Sequence, residues 1–427
     1  MRKVYVAVAG VAVVGAAYLG GVYVSGGEAL SRLHQAVDTA NARQSQVRFE
    51  IQDEHHGVLS STAKVTGVSA DKSFALDAPV ELHHGLRSTD IDSRLEIKID
   101  GQNVLQQLGS KEERILVHAH AKHNRDGRGS DIHFHVPGKL VLGTDEDDSR
   151  STEEFDLGIA RGDDGSLTID TREAASQSVI EGQNITSTDV KNRLTYDAQW
   201  ADSAIALARQ SGNLSPEELR SRAVALFLSQ LPDMHIDAKQ IALTGSSPAD
   251  KMGSIDGLKL DLVREGGASA VSHLTIDVKD VNAMGKHYKG NTSMKLDQSV
   301  VDTLMSVASS AAANGGHVSD EDAEAKVVAL LQTSPRFVID NLDVSGDDLK
   351  PVSMNGYVTI DGKDLKNIED VQMHAPQLVK GQLIIRNVPE LAVMMAPMIG
   401  LTDIKAGDTV TVDVEAGHVK ANGKTLL

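Results

Sequence analysis

The run from Val4 to Val24 carries no charge and is built almost wholly from Val, Ala, Gly, Leu and Tyr. As an α-helix it would reach about 31 Å, the thickness of the hydrocarbon core of a bilayer. Arg2 and Lys3 precede the run and Glu28 is the first charge after it. The positive-inside bias therefore predicts a cytoplasmic N-terminus and an exported remainder. Gly15-Ala16-Ala17 supplies small residues suited to signal-peptide cleavage. The apolar run continues unbroken beyond them, which favours a retained anchor over residues 1–25.

Downstream, the spacing of apolar residues divides the chain. Leu30, Leu33, Val37 and Ala40 form one helical stripe and predict a stalk helix over 26–44. From Val47 the period becomes two: Val47, Phe49 and Ile51 alternate with polar neighbours, as do Leu95, Ile97 and Ile99, then Ile115, Val117 and Ala119. Such alternation predicts half-buried strands and an N-terminal β-rich region over 45–197. Asp-Gly or Asn-Gly pairs at 100–101, 126–127, 164–165, 256–257, 355–356, 361–362 and 422–423 supply the positive φ that tight hairpins need.

A helical block is expected over 198–232. Ser215 is placed as its N-cap, Pro216 at the first helical position and Glu218 at the third, and Pro232 stops it. A C-terminal β-rich region over 233–427 follows, with helices near 298–313 and 319–332. The fold class is mainly β with helical blocks (α+β): a transmembrane helix, then an extended, twisted, mostly antiparallel sheet with helices packed on one face.

Composition narrows the chemistry. An apolar fraction of 41% and a charged fraction of 24% are those of a folded chain. A net charge of -18 with 3% aromatic residues opposes nucleic-acid binding. Cysteine is absent, which removes disulfides, thiolate metal sites and cysteine nucleophiles. No Gly-x-Ser-x-Gly or His-Glu-x-x-His motif occurs, and Gly423-Lys424-Thr425 lacks the upstream glycine of a phosphate loop. The expectation is a protein that is not an enzyme and carries no cofactor.

Three clusters are weighed as sites. With a turn near 127 and 128, His120 would face His135, and His118, His120, His133 and His135 would share a sheet face that could bind zinc or nickel. The alternating Val117, Ala119, Ile132, Phe134 and Val136 make a proper core face, so the imidazoles read better as the solvated side of an amphipathic hairpin. The acidic run Asp145 to Asp148 lacks the ligand spacing of a calcium loop and reads as solvated. Met394, Met395 and Met398 lie in a greasy segment that would serve an apolar ligand or a partner, although a buried helix is the preferred reading.

The chain resembles the YdgA-like proteins of Gram-negative bacteria, a family defined as a domain of unknown function. The features that carry the resemblance are the N-terminal span, the strand pair around His55-His56-Gly57-Val58-Leu59-Ser60-Ser61, the block from Trp200 to Pro232 ending Ser229-Gln230-Leu231-Pro232, and the close at Asn422-Gly423-Lys424. The family usually has a basic residue where His56 stands here. The resemblance implies an inner-membrane anchor with a periplasmic body and assigns no activity. Two functions are open: an envelope protein that binds or scaffolds a periplasmic protein, and a lipid-handling protein of the AsmA-like kind. The second requires a continuous apolar trough that helices leave uncovered.

Overall fold

Strands that alternate over ten or more residues must pair along their whole length, because an unpaired buried amide is costly. The computed structural model follows this rule. It describes residues 29–43, 47–123, 128–145, 148–180, 183–210, 214, 216–227, 229–244, 251–265, 271–283, 285–313, 320–399, 403–415 and 417–426. The expected anchor, Val4 to Val24, lies outside these residues. No helix among the described residues is long and apolar enough to cross a membrane. The chain divides into two units, Met1–Leu219 and Arg220–Leu427.

The first unit opens with helix α1 (Ala29–Arg43) and continues as a meander of β1 (Val47–His56), β2 (Ser60–Ser69), β3 (Phe74–His84) and β4 (Ser88–Ile99). After β5 (Gln102–Asn103) and the single turn α2 (Val104–Gln107), the chain returns to pair β6 (Ile115–Lys122) with β4. β7 (Ser130–Asp145), β8 (Asp148–Arg161), β9 (Leu167–Ile180) and β10 (Gln183–Tyr196) add in order. Every pairing is antiparallel, giving a twisted open sheet.

One face of β1 to β7 is a closed core. Phe49, Val65, Leu76, Val80, Leu82, Leu95, Ile97, Val117 and Ile132 are buried there, and Leu30, Val37 and Ala40 of α1 join the same cluster. The stripe expected of a stalk helix is thus spent on the sheet. Asn41 fixes the helix by donating from Nδ2 to the Phe49 carbonyl and accepting from the Phe49 amide, both at 2.8 Å. His34 meets Glu54 at 2.8 Å, so α1 runs antiparallel to β1. Farther along the sheet this face turns polar, because Phe134 pairs with Leu157, but Leu157 with Thr171 and Thr171 with Asn192. Helix α3 (Ala198–Gln210) closes the unit: Asp197 accepts from the Trp200 amide at 2.9 Å, and Trp200 stacks on Tyr196 at 3.7 Å. Helix α4 (Pro216–Phe227) begins at the expected proline and contains the boundary between units.

The second unit is again an antiparallel meander: β11 (Asp233–Thr244), β12 (Lys251–Glu265), β13 (Val271–Ala283), β14 (Lys286–Asp297), β15 (Arg336–Gly346), β16 (Leu349–Ile360), β17 (Val379–Arg386), β18 (Val410–Glu415), β19 (His418–Ala421) and β20 (Lys424–Thr425). Helices α5 (Gln298–Ala313) and α6 (Asp320–Gln332) link β14 to β15, and α7 (Ile368–Leu378) links β16 to β17. The short helix α8 (Glu390–Met395) continues into a 3-10 turn, Ala396–Ile399. The helices expected near 298–313 and 319–332 are α5 and α6. Where α5 meets the sheet, Ser272 Oγ donates to Gln298 Oε1 at 2.9 Å, next to the ends of β13 and β14.

Turn chemistry is mixed. Asp100-Gly101 and Asn422-Gly423 have φ of 52° and 78°, and 48° and 79°, the signs a two-residue primed turn requires. Asp256-Gly257 and Asn355-Gly356 instead lie inside β12 and β16. Gly257, at φ 64°, takes a left-handed conformation inside β12 while the register on either side of it is unchanged. At Gly356 a Cβ would stand 2.0 Å from the Gln382 carbonyl, so glycine there serves close strand approach.

Leu95 is 1% exposed at the centre of the first unit's core. Leu95→Ala should lower unfolding stability by about 2–5 kcal/mol, through lost burial plus a cavity. Urea denaturation of the full chain followed by circular dichroism checks this.

Candidate functional site

Residues paired across an antiparallel ladder share a face, so the register of the second unit sorts its side chains into two surfaces. One row runs Ile236, Leu260, Ile276, Thr292, Leu342, Met354, Ile385, Val410 from β11 to β18. The adjacent row runs Met234, Leu262, Leu274, Met294, Ile339, Gly356, Leu383, Val412. Rows led by Ala238-Leu258-Val278 and by Leu296-Phe337-Val358 flank these two. The face is mainly apolar from β11 to β18, interrupted by Thr292, whose hydroxyl donates to the Asn341 carbonyl at 3.1 Å, and by Gly356.

The other surface is its chemical opposite. It carries Asp237, Lys259, Asp277, Asn291, Asp343, Ser353 and Arg386 in one row. Ion pairs hold its strands together: His235 with Asp261, Lys295 with Asp340 at 3.0 Å, and Lys380 with Asp361 at 2.9 Å. These surface pairs are individually worth little. Their effect is to mark this face as the wet one.

What distinguishes the apolar face is incomplete cover. In the first unit the corresponding side chains are buried under α1, whereas Ile236, Leu260, Ile276, Met294, Ile339, Met354 and Leu383 all stay half-buried. Closure is local: Ala238, Thr292 and Ser272, the last beside α5, are buried, and a further closed patch is the C-terminal corner. There Val388, Ala396, Val410 and Ala421 form a buried cluster with Val393 and Ile404. Gly290, Gly356 and Gly381 add no side chain to this face and lower its floor. The result is a shallow apolar surface with polar strands only on its back.

The four candidate histidines sit on the solvent side of the first unit's sheet. The register pairs His118 with His133 and His120 with Asp131, four residues away from the expected partner His135. Because that shift is even, all four keep the expected face. Each is matched to its own carboxylate: His118 to Asp92 at 2.9 Å, His120 to Asp90 at 2.6 Å, His133 to Asp131 at 3.3 Å and His135 to Asp156 at 2.6 Å. The imidazoles thus lie in a ladder of separate pairs. Among the described residues no group of three or more His, Asp and Glu could hold a metal ion. Of the acidic run, Asp145 and Asp148 are paired strand ends, and the remainder lies outside the described residues.

The greasy segment is divided by its helix. Val393 and Ala396 pack into the corner cluster, while Leu391, Met394 and Met395 point outward with exposures of 66%, 68% and 57%. The side chain of Met398 lies outside the described residues. Composition alone did not reveal the long apolar rows, because single strands such as β12 look like any amphipathic strand. Only the register joins them.

The fold and this surface define a protein of antiparallel sheets, one with a closed core and one with an open apolar face. A family profile described as a bacterial protein of unknown function (DUF945) matches residues 1–96. The matched segment holds α1, β1, β2, β3 and most of β4. No curated protein and no solved structure matches the chain.

One back-face pair sets a pH dependence. His287 lies 2.8 Å from Asp280, whose hydrogen bond and charge raise the imidazole above its ordinary value. A raised folded-state pKa contributes stability that is full at low pH and is lost as pH rises through the folded value. Asp280→Asn should lower the His287 titration toward that of a free imidazole, with the Asp347 and Asp256 charges still raising it. Histidine ring NMR across pH 5 to 8 tests it.

Proposed function

We propose that this chain is a non-catalytic bacterial envelope protein, of the YdgA-like kind, that holds lipid acyl chains along the open face of its second unit. It is anchored in the inner membrane through Val4 to Val24, with its N-terminus in the cytoplasm and its body in the periplasm. The supporting observation is the half-buried, mainly apolar surface from β11 to β17. Strands lie about 4.8 Å apart, so this surface is roughly 29 Å across. That is more than monomeric soluble proteins usually leave open without a use.

An acyl chain suits such a surface. Each methylene removed from water contributes about 0.8 kcal/mol, so a chain crossing several strands gains several kcal/mol with no directional contact. Methionines at 234, 294 and 354 in the same rows adapt to irregular apolar partners. The charged side chains, by contrast, are largely paired off on the solvated faces. That distribution supports binding over catalysis, and it offers no basic surface to nucleic acid.

A second reading, a scaffold for a periplasmic protein, draws on the outward Met373, Leu391, Met394 and Met395 of α7 and α8. The two readings assign different residues. Full-length protein titrated with a fluorescent fatty acid should show saturable binding. Ile276→Glu should weaken it at least tenfold, about 1.4 kcal/mol, and Asp277→Ser on the back face should leave it unchanged. No saturable binding, or equal loss in both variants, would sink the lipid reading. Loss of a captured periplasmic protein on changing Met394 and Met395 to Ser would favour the scaffold.

A further inference from the structure

The most exposed apolar side chains of the first unit stand together at one end of its sheet. Val58 and Leu59 form the β1–β2 tip and Leu86 the β3–β4 tip, with exposures of 93%, 76% and 101%. Leaving three large apolar groups in water is unfavourable, and the tips are built to hold them there.

Both tips carry one pattern: His55-His56-Gly57-Val58-Leu59-Ser60-Ser61 and His83-His84-Gly85-Leu86-Arg87-Ser88-Thr89. In each, glycine is required by the turn, since a Cβ at Gly57 would stand 2.2 Å from the Ser60 carbonyl and one at Gly85 2.9 Å from that of Ser88. Each tip is also latched to the next hairpin in the same way. The His84 amide donates to the Leu59 carbonyl at 2.7 Å, and the His123 amide to the Arg87 carbonyl at 2.8 Å. The Ser61 hydroxyl meets His84 Nε2 at 2.8 Å, and the Thr89 hydroxyl meets His123 Nε2 at 2.9 Å. Latching in two directions makes the tips a firm edge.

Position and charge identify what the edge meets. The contact of His34 with Glu54 sets α1 alongside β1. From that level α1 begins roughly 7.5 Å higher, while Val58 lies roughly 13 Å higher. The tips therefore overhang the start of α1 by about 6 Å. Only Ser25 to Glu28 separate the apolar run from α1, and four residues reach at most about 14 Å. A bilayer holding Val4 to Val24 is then within reach of the tips. No acidic residue occurs from 55 to 70 or from 82 to 89, in a chain of net charge -18. Arg87 stands there instead, which suits anionic headgroups.

The geometry points to a second membrane contact: Val58, Leu59 and Leu86 enter the interface of the same phospholipid bilayer that holds the anchor, and so fix the first unit against its surface. This inference rests on the anchor proposed above. Depth of this kind, with apolar tips below headgroups and a cation at their level, is how interfacial segments bind.

The absence of cysteine permits a direct test. Single variants Val58→Cys, Leu86→Cys and, at the opposite end of the sheet, Ala70→Cys are made in the full chain and labelled with a nitroxide. They are reconstituted in phosphatidylglycerol-containing vesicles formed with a water-soluble nickel chelate on both sides. Labels at 58 and 86 should relax with oxygen and be at least fivefold less accessible to nickel than the label at 70. Equal nickel access at all three positions, in protein that floats with the vesicles, overturns the membrane contact and leaves the anchor standing. Protein that fails to float overturns both. Protection that follows protein concentration rather than lipid indicates a second copy on the tips and also overturns it.

Discussion

Strand alternation governs this molecule. A period of two gives every strand two unlike surfaces, and antiparallel register aligns them into sheets with one apolar and one charged side. In the first unit α1 lays Leu30, Val37 and Ala40 onto the apolar side, and the Asn41 clamp on Phe49 holds it there. In the second unit the same kind of surface is closed only locally among the described residues, at Ala238, Ser272 and Thr292 and at the corner formed by Val388, Ala396, Val410 and Ala421. The difference between a core and a binding face is therefore a difference in what is packed over it.

Much of the fold was legible in the residues. The alternation at Val47, Phe49 and Ile51, the stripe at Leu30, Leu33, Val37 and Ala40, and the Pro216 start of α4 each have a local physical cause that survives folding. Pairing register is not local in that sense. The His118–His133 pairing depends on a turn whose length cannot be read from composition, so the expected partners were wrong by four while the faces were right. Asp256-Gly257 and Asn355-Gly356 looked like hairpin turns, yet a positive φ inside a strand and a close strand approach use the same residue types.

The candidate site was the least legible part. Attention falls naturally on the histidines, but each is satisfied by an aspartate of its own or a neighbouring strand. The apolar rows assemble residues from eight strands, β11 to β18, that are separated by up to 178 positions between Met234 and Val412. No window of sequence contains such a surface. The Met394 segment shows the same limit on a smaller scale, because one short helix turns Val393 inward and Met394 and Met395 outward.

The central claim is that the front of the second sheet is open to lipid and its back is not. A photoactivatable benzophenone amino acid at Met294, on the apolar face, and at Asn291, on the charged face, reports this inside the cell. After irradiation of cells fed radiolabelled phosphate and fatty acid, label carried on the protein should follow position 294 and be near background at 291. Equal label at both positions, or cross-links at 294 to protein alone, would contradict an acyl-binding face.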